Sequence, residues 1–202
     1  MSHFNAVAEH SRLAIASLRL KENLRRQALK DSLTGLYNRR FLMETIEHSV
    51  SRAKRHSSGL GVFMLDIDHF KVFNDQYGHG IGDFVLTEFS SLLQSVLRKE
   101  DIACRYGGEE FTVLLVDTKR ELIAGIAHKL CEFVRNHSFH INRTEYGPVT
   151  VSIGVATFPE NGSVFEQLLD SADKALYEAK NAGRDRVVLA AFEGEGIGPY
   201  VP

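Results

Sequence analysis

Two β-type runs, DIACRY (101–106) and EEFTVLLV (109–116), are separated only by Gly107-Gly108. So short a connection forces an antiparallel hairpin, because parallel strands need a crossover of a dozen or more residues. A two-residue loop of this kind favours a primed turn with positive φ at both central positions, which glycine supplies. Any fold for this chain must therefore contain an antiparallel pair, with Glu109 and Glu110 opening its second strand on opposite faces.

The surrounding pattern alternates helix and strand. DSLTGLYNRR (31–40) is rich in turn and cap formers, and helical spacing follows over about 39–56. GLGVFMLDID (59–68) is an apolar run ending in two aspartates, as expected of a buried central strand. HFKVFNDQYGHGIGD (69–83) suggests a short helical turn and a glycine-punctuated loop, before helical spacing over 84–98. A helix is expected at 119–136. TVSIGVATF (150–158) reads as a strand, paired with 139–146 through a Gly147-Pro148 turn. A helix over Phe165–Lys180, ended by Asn181 and Gly183, and a short strand RVVLA (186–190) complete the series. With a hairpin at its centre, this order predicts an α+β sandwich of the βαββαβ kind rather than a doubly wound parallel sheet.

Residues 1–30 lack glycine and proline and are expected to form an N-terminal helical extension. Leu13, Leu20 and Leu24 give part of a heptad stripe, which suits either a short coiled coil or a solvated connector. The main domain is expected over 31–191, with a flexible tail at 192–202. A formal net charge of −2 offers no global basic field for a nucleic acid polymer. Cys104 and Cys131 form no CxxC pair and read as small buried residues in a reducing compartment. The nine histidines have no zinc spacing. No apolar run reaches the roughly 18 residues of a membrane span and no signal peptide is visible, so a cytoplasmic location is expected.

Charge concentrates around the hairpin. Asp66 and Asp68 end the apolar strand on one side of it, by period-two alternation. If that strand neighbours the hairpin, Asp66 and one glutamate approach each other. Crowded carboxylates raise each other's pKa unless a hard cation lies between them, and magnesium suits such oxygen ligands together with substrate phosphates. The alternative is that the aspartates merely end a strand and the glutamates solubilise a hairpin. Lys71, Asn74 and Asp83 follow on the next connection: a lysine stabilises phosphate charge, and an amide with a carboxylate matches the edge of guanine. Capping and loop solvation are their plainer roles. Lys180 and Arg184 bracket a helix C-terminus, where they suit the macrodipole or reach terminal phosphates.

Taken together, DSLTGLYNRR, LDIDHFKVFNDQYGHGIGD, RYGGEEF, VSIGVA and ADKALYEAKNAGRDRV resemble, in order, the motif blocks of the GGDEF family of diguanylate cyclases, in its GGEEF form. The resemblance covers about residues 29–190. It implies a palm-like nucleotidyl-cyclase fold, with a sheet flanked by helices. The implied reaction joins two GTP into cyclic di-GMP, a bacterial second messenger, and releases two pyrophosphates. By resemblance, Asp66, Glu109 and the Ile67 carbonyl bind Mg²⁺, with Mn²⁺ as the alternative. Glu109 is the candidate base, with Glu110 nearby, and Lys71 stabilises the phosphates. Asn74 and Asp83, with His79 as a weaker neighbour, read guanine, while Lys180 and Arg184 hold the outer phosphates. Because one domain holds one GTP, a homodimer is implied, aligned by paired N-terminal helices and governed by a sensor domain outside this chain, which allows the full-length protein to be membrane-tethered. Arg98 and Asp101 match the family's RxxD product-inhibition site. The family's further arginine on the helix after the hairpin is Lys129 here, and lysine lacks the planar fork, which implies weaker inhibition. A non-enzymatic nucleotide sensor and a cyclase for another nucleotide are the competing readings. Arg105 has no role assigned from sequence.

Overall fold

The structure, a computed structural model, describes residues 28–56, 58–141 and 143–191, together with residues 12, 15 and 17. Most of the expected N-terminal helix, and the expected tail beyond 191, lie outside the described residues. The elements run β1 (Tyr37–Asn38), α1 (Arg39–His56), β2 (Leu60–Ile67), α2 (Phe70–Tyr77), α3 (His79–Val96), β3 (Ile102–Arg105), β4 (Glu110–Leu115), α4 (Arg120–Arg135), β5 (Phe139–Ile141), β6 (Thr144–Tyr146), β7 (Val151–Phe158), α5 (Phe165–Asn181) and β8 (Val187–Leu189). Among the described residues, no helix is long and apolar enough to cross a membrane.

Six strands form one sheet in the order β1-β3-β4-β2-β7-β8. β2 lies at its centre, antiparallel to both β4 and β7, and all eight of its residues are buried. Its alternation divides the core. Phe63, Leu65 and Ile67 pack with Phe89 of α3 and Leu130 of α4, whereas Val62 and Met64 pack with Ile46 of α1 and Leu176 of α5. The result is a sheet between two helical layers, with the antiparallel centre that the hairpin demanded. Asp66 shares the face of Val62 and Met64 and so lies under α5. That helix packs close because residue 154 is glycine: a Cβ there would overlap the Ala172 carbonyl and the Leu176 backbone, whose Cα would lie only 2.8 Å away.

Three local expectations are corrected. Residues 79–83 are the first turn of α3 rather than a loop; only Gly78, with φ 83°, separates the two helices. Residues 139–146 do not pair with β7, because β5 and β6 form their own hairpin while β7 is occupied by β2 and β8. The β3–β4 hairpin exists, with Ile102 opposite Leu114, but its loop spans Tyr106–Glu109 and neither glycine adopts a left-handed φ. The Tyr106 and Gly107 N–H groups both donate to the Glu110 carbonyl, so backbone hydrogen bonds close a longer loop and the strained turn is unnecessary.

Both cysteines are buried, and that burial pushes each thiol up to about 12, which leaves them protonated and unreactive at neutral pH.

Candidate active site

The site lies where β2 ends and β4 begins, beside the C-terminus of α5. The register places Asp66 opposite Glu110, with Glu109 as the last loop residue, and the Ile67 N–H donates to the Glu109 carbonyl at 3.3 Å. Asp66 is 8% exposed. Burial raises its carboxyl above the usual range, opposed by Lys180, whose Nζ lies 2.8 Å from Oδ2. Burial, followed by the charge of Asp66, raises Glu109 as well, and Lys180 lowers it. Arg184 also acts on Asp66 through its charge. Asp66, Glu109, Lys180 and Arg184 thus form one electrostatic group drawn from three parts of the chain.

The donor set fits a hard divalent cation. It consists of oxygen only, and the two carboxylates repel each other until positive charge is supplied, which here comes from Lys180. Among the described residues no group of three or more His, Cys, Asp or Glu side chains converges on a metal position, so a bound ion would keep sites for water or substrate oxygens.

Asp68, expected beside Asp66, is engaged otherwise. Its carboxylate accepts from Ser152 Oγ at 2.6 Å, Thr150 Oγ1 at 2.7 Å and the Asp185 N–H at 3.0 Å. Two hydroxyls at alternate positions of a neighbouring strand were the available sequence signal.

A second group lies at the α2–α3 junction. Asn74 Oδ1 is buried and has no hydrogen-bond partner among the described residues. Gly82 provides its space, since a Cβ there would overlap that oxygen. Asp83 is the next residue of α3 and is exposed, as are His79 in the same first turn and Lys71 one turn before Asn74 on α2. An unpaired buried acceptor is costly unless a donor arrives. The junction can therefore accept a hydrogen bond from a ligand donor.

The hairpin loop is held by a residue whose role was not legible in sequence. Arg105 donates to the Gly108 carbonyl from Nε at 3.1 Å and Nη2 at 2.8 Å, and Nη1 lies 3.1 Å from Asp31 Oδ1. Asp31 in turn accepts from Thr34 N and Oγ1. Burial raises its pKa, but these bonds and the Arg105 charge prevail and hold it below the usual value. The Arg39 guanidinium lies 4.7 Å over the Tyr106 ring. The loop that presents Glu109 is thus tied to the turn at 31–36.

Arg98 and Asp101 lie apart from this centre, on a cleft of about 400 Å³ also lined by Lys30, Tyr37 and Lys99. Asp101 accepts from the Arg98 and Val116 N–H groups, which fixes the turn and leaves the Arg98 side chain exposed. Lys129 is exposed on α4.

Comparison with known proteins agrees with this geometry. The family model "Diguanylate cyclase, GGDEF domain" matches residues 28–186. The response regulator PleD of Caulobacter vibrioides is 41% identical over 162 residues, covering 80% of this chain and 36% of PleD. The diguanylate cyclase DgcS of Shewanella oneidensis is 39% identical over 160 residues, 79% of this chain and 52% of DgcS. The chain therefore spans about a third to a half of the length of these relatives. The solved coiled coil and GGDEF domain of DgcB from Caulobacter crescentus, in complex with c-di-GMP, superposes with a TM-score of 0.84 at 30% identity, covering 94% of this chain and 100% of that one. Diguanylate cyclase SiaD of Pseudomonas aeruginosa, in complex with its activator SiaC, gives 0.77 at 36% identity, with 93% and 72% covered. With its antiparallel-centred sheet, its GGEEF hairpin and these matches, the chain belongs to the GGDEF family of diguanylate cyclases.

Proposed function

We propose that this domain condenses two GTP molecules into cyclic di-GMP, with release of two pyrophosphates, and that two copies of the chain meet to do so. The observation that carries this reading is the convergence of Asp66 and Glu109, both with raised pKa values, on the cations of Lys180 and Arg184. Paired carboxylates with adjacent cations suit phosphoryl chemistry, in which negative charge grows on the α-phosphate and the leaving pyrophosphate.

The residues divide the work. Asn74 Oδ1 accepts a hydrogen bond from the guanine edge and Asp83 accepts a second, with His79 nearby. Lys71, Lys180 and Arg184 balance the phosphate charge. Glu109 takes the proton of the attacking 3′-hydroxyl; its raised pKa brings it nearer the working pH, as a base requires. Glu110, opposite Asp66 in the register, supports that arrangement. A divalent cation, Mg²⁺ with Mn²⁺ as the alternative, would be held by Asp66, Glu109 and the Ile67 carbonyl, and when bound supplies charge neutralisation and Lewis-acid activation. The catalytic unit is 31–191. Residues 1–30 act as a connector that aligns the two copies and passes on the state of a sensor, in a protein working on the cytoplasmic side. Arg98 and Asp101 bind the product on their separate cleft and lower activity as it accumulates, weakly because Lys129 replaces a forked arginine.

Purified protein incubated with GTP and Mg²⁺ tests the central claim. Cyclic di-GMP and pyrophosphate in a 1:2 ratio are expected. Absence of any cyclic dinucleotide at high protein concentration would overturn it, and nucleotide binding without turnover would instead favour a sensor role.

A further inference from the structure

The turn between α5 and β8 has an unusual backbone. Three successive residues take positive φ: Gly183 at 110°, Arg184 at 61° and Asp185 at 48°. Two of them carry side chains, and such conformations persist only where surrounding contacts impose them. Those contacts are on both sides. From the sheet, the buried Asp68 carboxylate accepts the Asp185 N–H, and Asp68 is itself fixed by Thr150 and Ser152. From α4, Arg135 grips Asp185 twice, Nε to Oδ2 at 2.6 Å and Nη2 to the backbone carbonyl at 3.0 Å. The Arg184 N–H closes the end of α5 on the Ala179 carbonyl at 3.0 Å.

The side chain at the apex is not used in this lattice of bonds. Among the described residues the Arg184 guanidinium makes no hydrogen bond or ion pair, yet its charge acts on Asp66. We propose that Asp185, gripped by Arg135 and Asp68, is a positioning residue that holds Arg184 toward the triphosphate of the bound nucleotide. This rests on the nucleotide reading above and adds residues to which that reading assigns nothing. A preorganised cation loses less side-chain freedom when it meets a phosphate, so the clamp acts on affinity through Arg184 alone. A purely structural clamp would act on stability instead.

A double-mutant cycle separates the two. Binding of guanosine 5′-[α,β-methylene]triphosphate, an analogue that this reaction cannot cleave, is measured by calorimetry in Mg²⁺, with melting temperatures recorded in parallel. Asp185→Asn keeps a residue that tolerates positive φ but weakens the Arg135 grip. It is expected to raise Kd at least fivefold, as is Arg184→Ala. The double variant should bind no worse than Arg184→Ala within twofold. Arg135→Lys, with one point charge in place of a fork, should fall between wild type and Asp185→Asn. Asp185→Asn with wild-type Kd, or losses that multiply in the double variant, would overturn the clamp while leaving the nucleotide reading intact. A wild-type protein that binds no analogue would overturn both.

Discussion

One methyl group added at Gly82 tests how the base is read, without altering any group proposed to touch it. The alanine Cβ would overlap Asn74 Oδ1 and lie 2.9 Å from Asn74 Cγ and 3.2 Å from Phe70 Cζ. The first neighbour is the end of a mobile side chain and the second needs to give by only a few tenths of an ångström. Asn74 must leave its rotamer, at a cost of about 0.5–1.5 kcal/mol. Alanine in place of glycine inside a helix returns about 1 kcal/mol. Stability should therefore change by less than about 1 kcal/mol, or roughly 2–4 °C in melting temperature for a domain of this size. Loss of one base hydrogen bond in a site built for it costs about 1–3 kcal/mol, a roughly 5- to 150-fold fall in kcat/KM for GTP. Adenine has neither guanine's ring N1–H nor its 2-amino group to offer this acceptor, so kcat/KM for ATP should move little and the GTP preference should narrow. The assay is steady-state turnover of both nucleotides beside thermal melting of Gly82→Ala. Unchanged GTP kinetics in a well-folded variant would refute the assignment of Asn74. A melting point lower by more than about 10 °C would refute the argument that the side chain gives way.

Glu109→Gln should abolish cyclic di-GMP formation and raise the melting temperature at neutral pH. The folded-state pKa of Glu109 is raised, so folding favours its protonated form; stability is full below the unfolded value and is lost as pH rises through the folded one. The stabilisation by Gln should accordingly vanish in melts well below pH 4.5, and equal gains at all pH values would contradict this sign. Arg105→Ala frees the Gly108 carbonyl and leaves Asp31 with Thr34 alone; kcat should fall at least tenfold while Kd for the uncleavable GTP analogue stays within threefold, and wild-type kcat would remove the loop-holding role. Arg98→Ala should raise the inhibition constant for cyclic di-GMP with kcat unchanged in product-free assays, and an unaltered constant would remove the inhibitory role of the cleft.

Much of the fold was legible because its signals are local. The apolar run of β2, the helical spacing of α1, α4 and α5, and the Gly-Gly hairpin lie within short windows. The departures share a cause: each local signal depends on a partner outside its own short window. Gly80 and Gly82 looked like loop formers, but Gly82 is small because Asn74, eight residues earlier, needs the space. Gly107 and Gly108 looked like a strained turn, but the Glu110 carbonyl and the Arg105 guanidinium close a relaxed, longer loop. The motif residues were visible as types, while their supports were not. Arg105 finds Asp31 74 positions away, and Asp68 finds Asp185 117 positions away. Separations of that size leave no periodicity, so only the fold brings them together.

The sheet ends, on both sides, in very short parallel strands: two residues in β1 and three in β8. Long flat edges invite strand addition from another molecule, and edges this brief offer almost no ladder to extend. Two copies set edge to edge would find little here to extend into one continuous sheet. On the two-copy reading proposed above, contact would fall on loop tips and helix surfaces, which separate again without breaking backbone pairing. Such an encounter would be reversible, and edges this brief give another chain little template for aggregation.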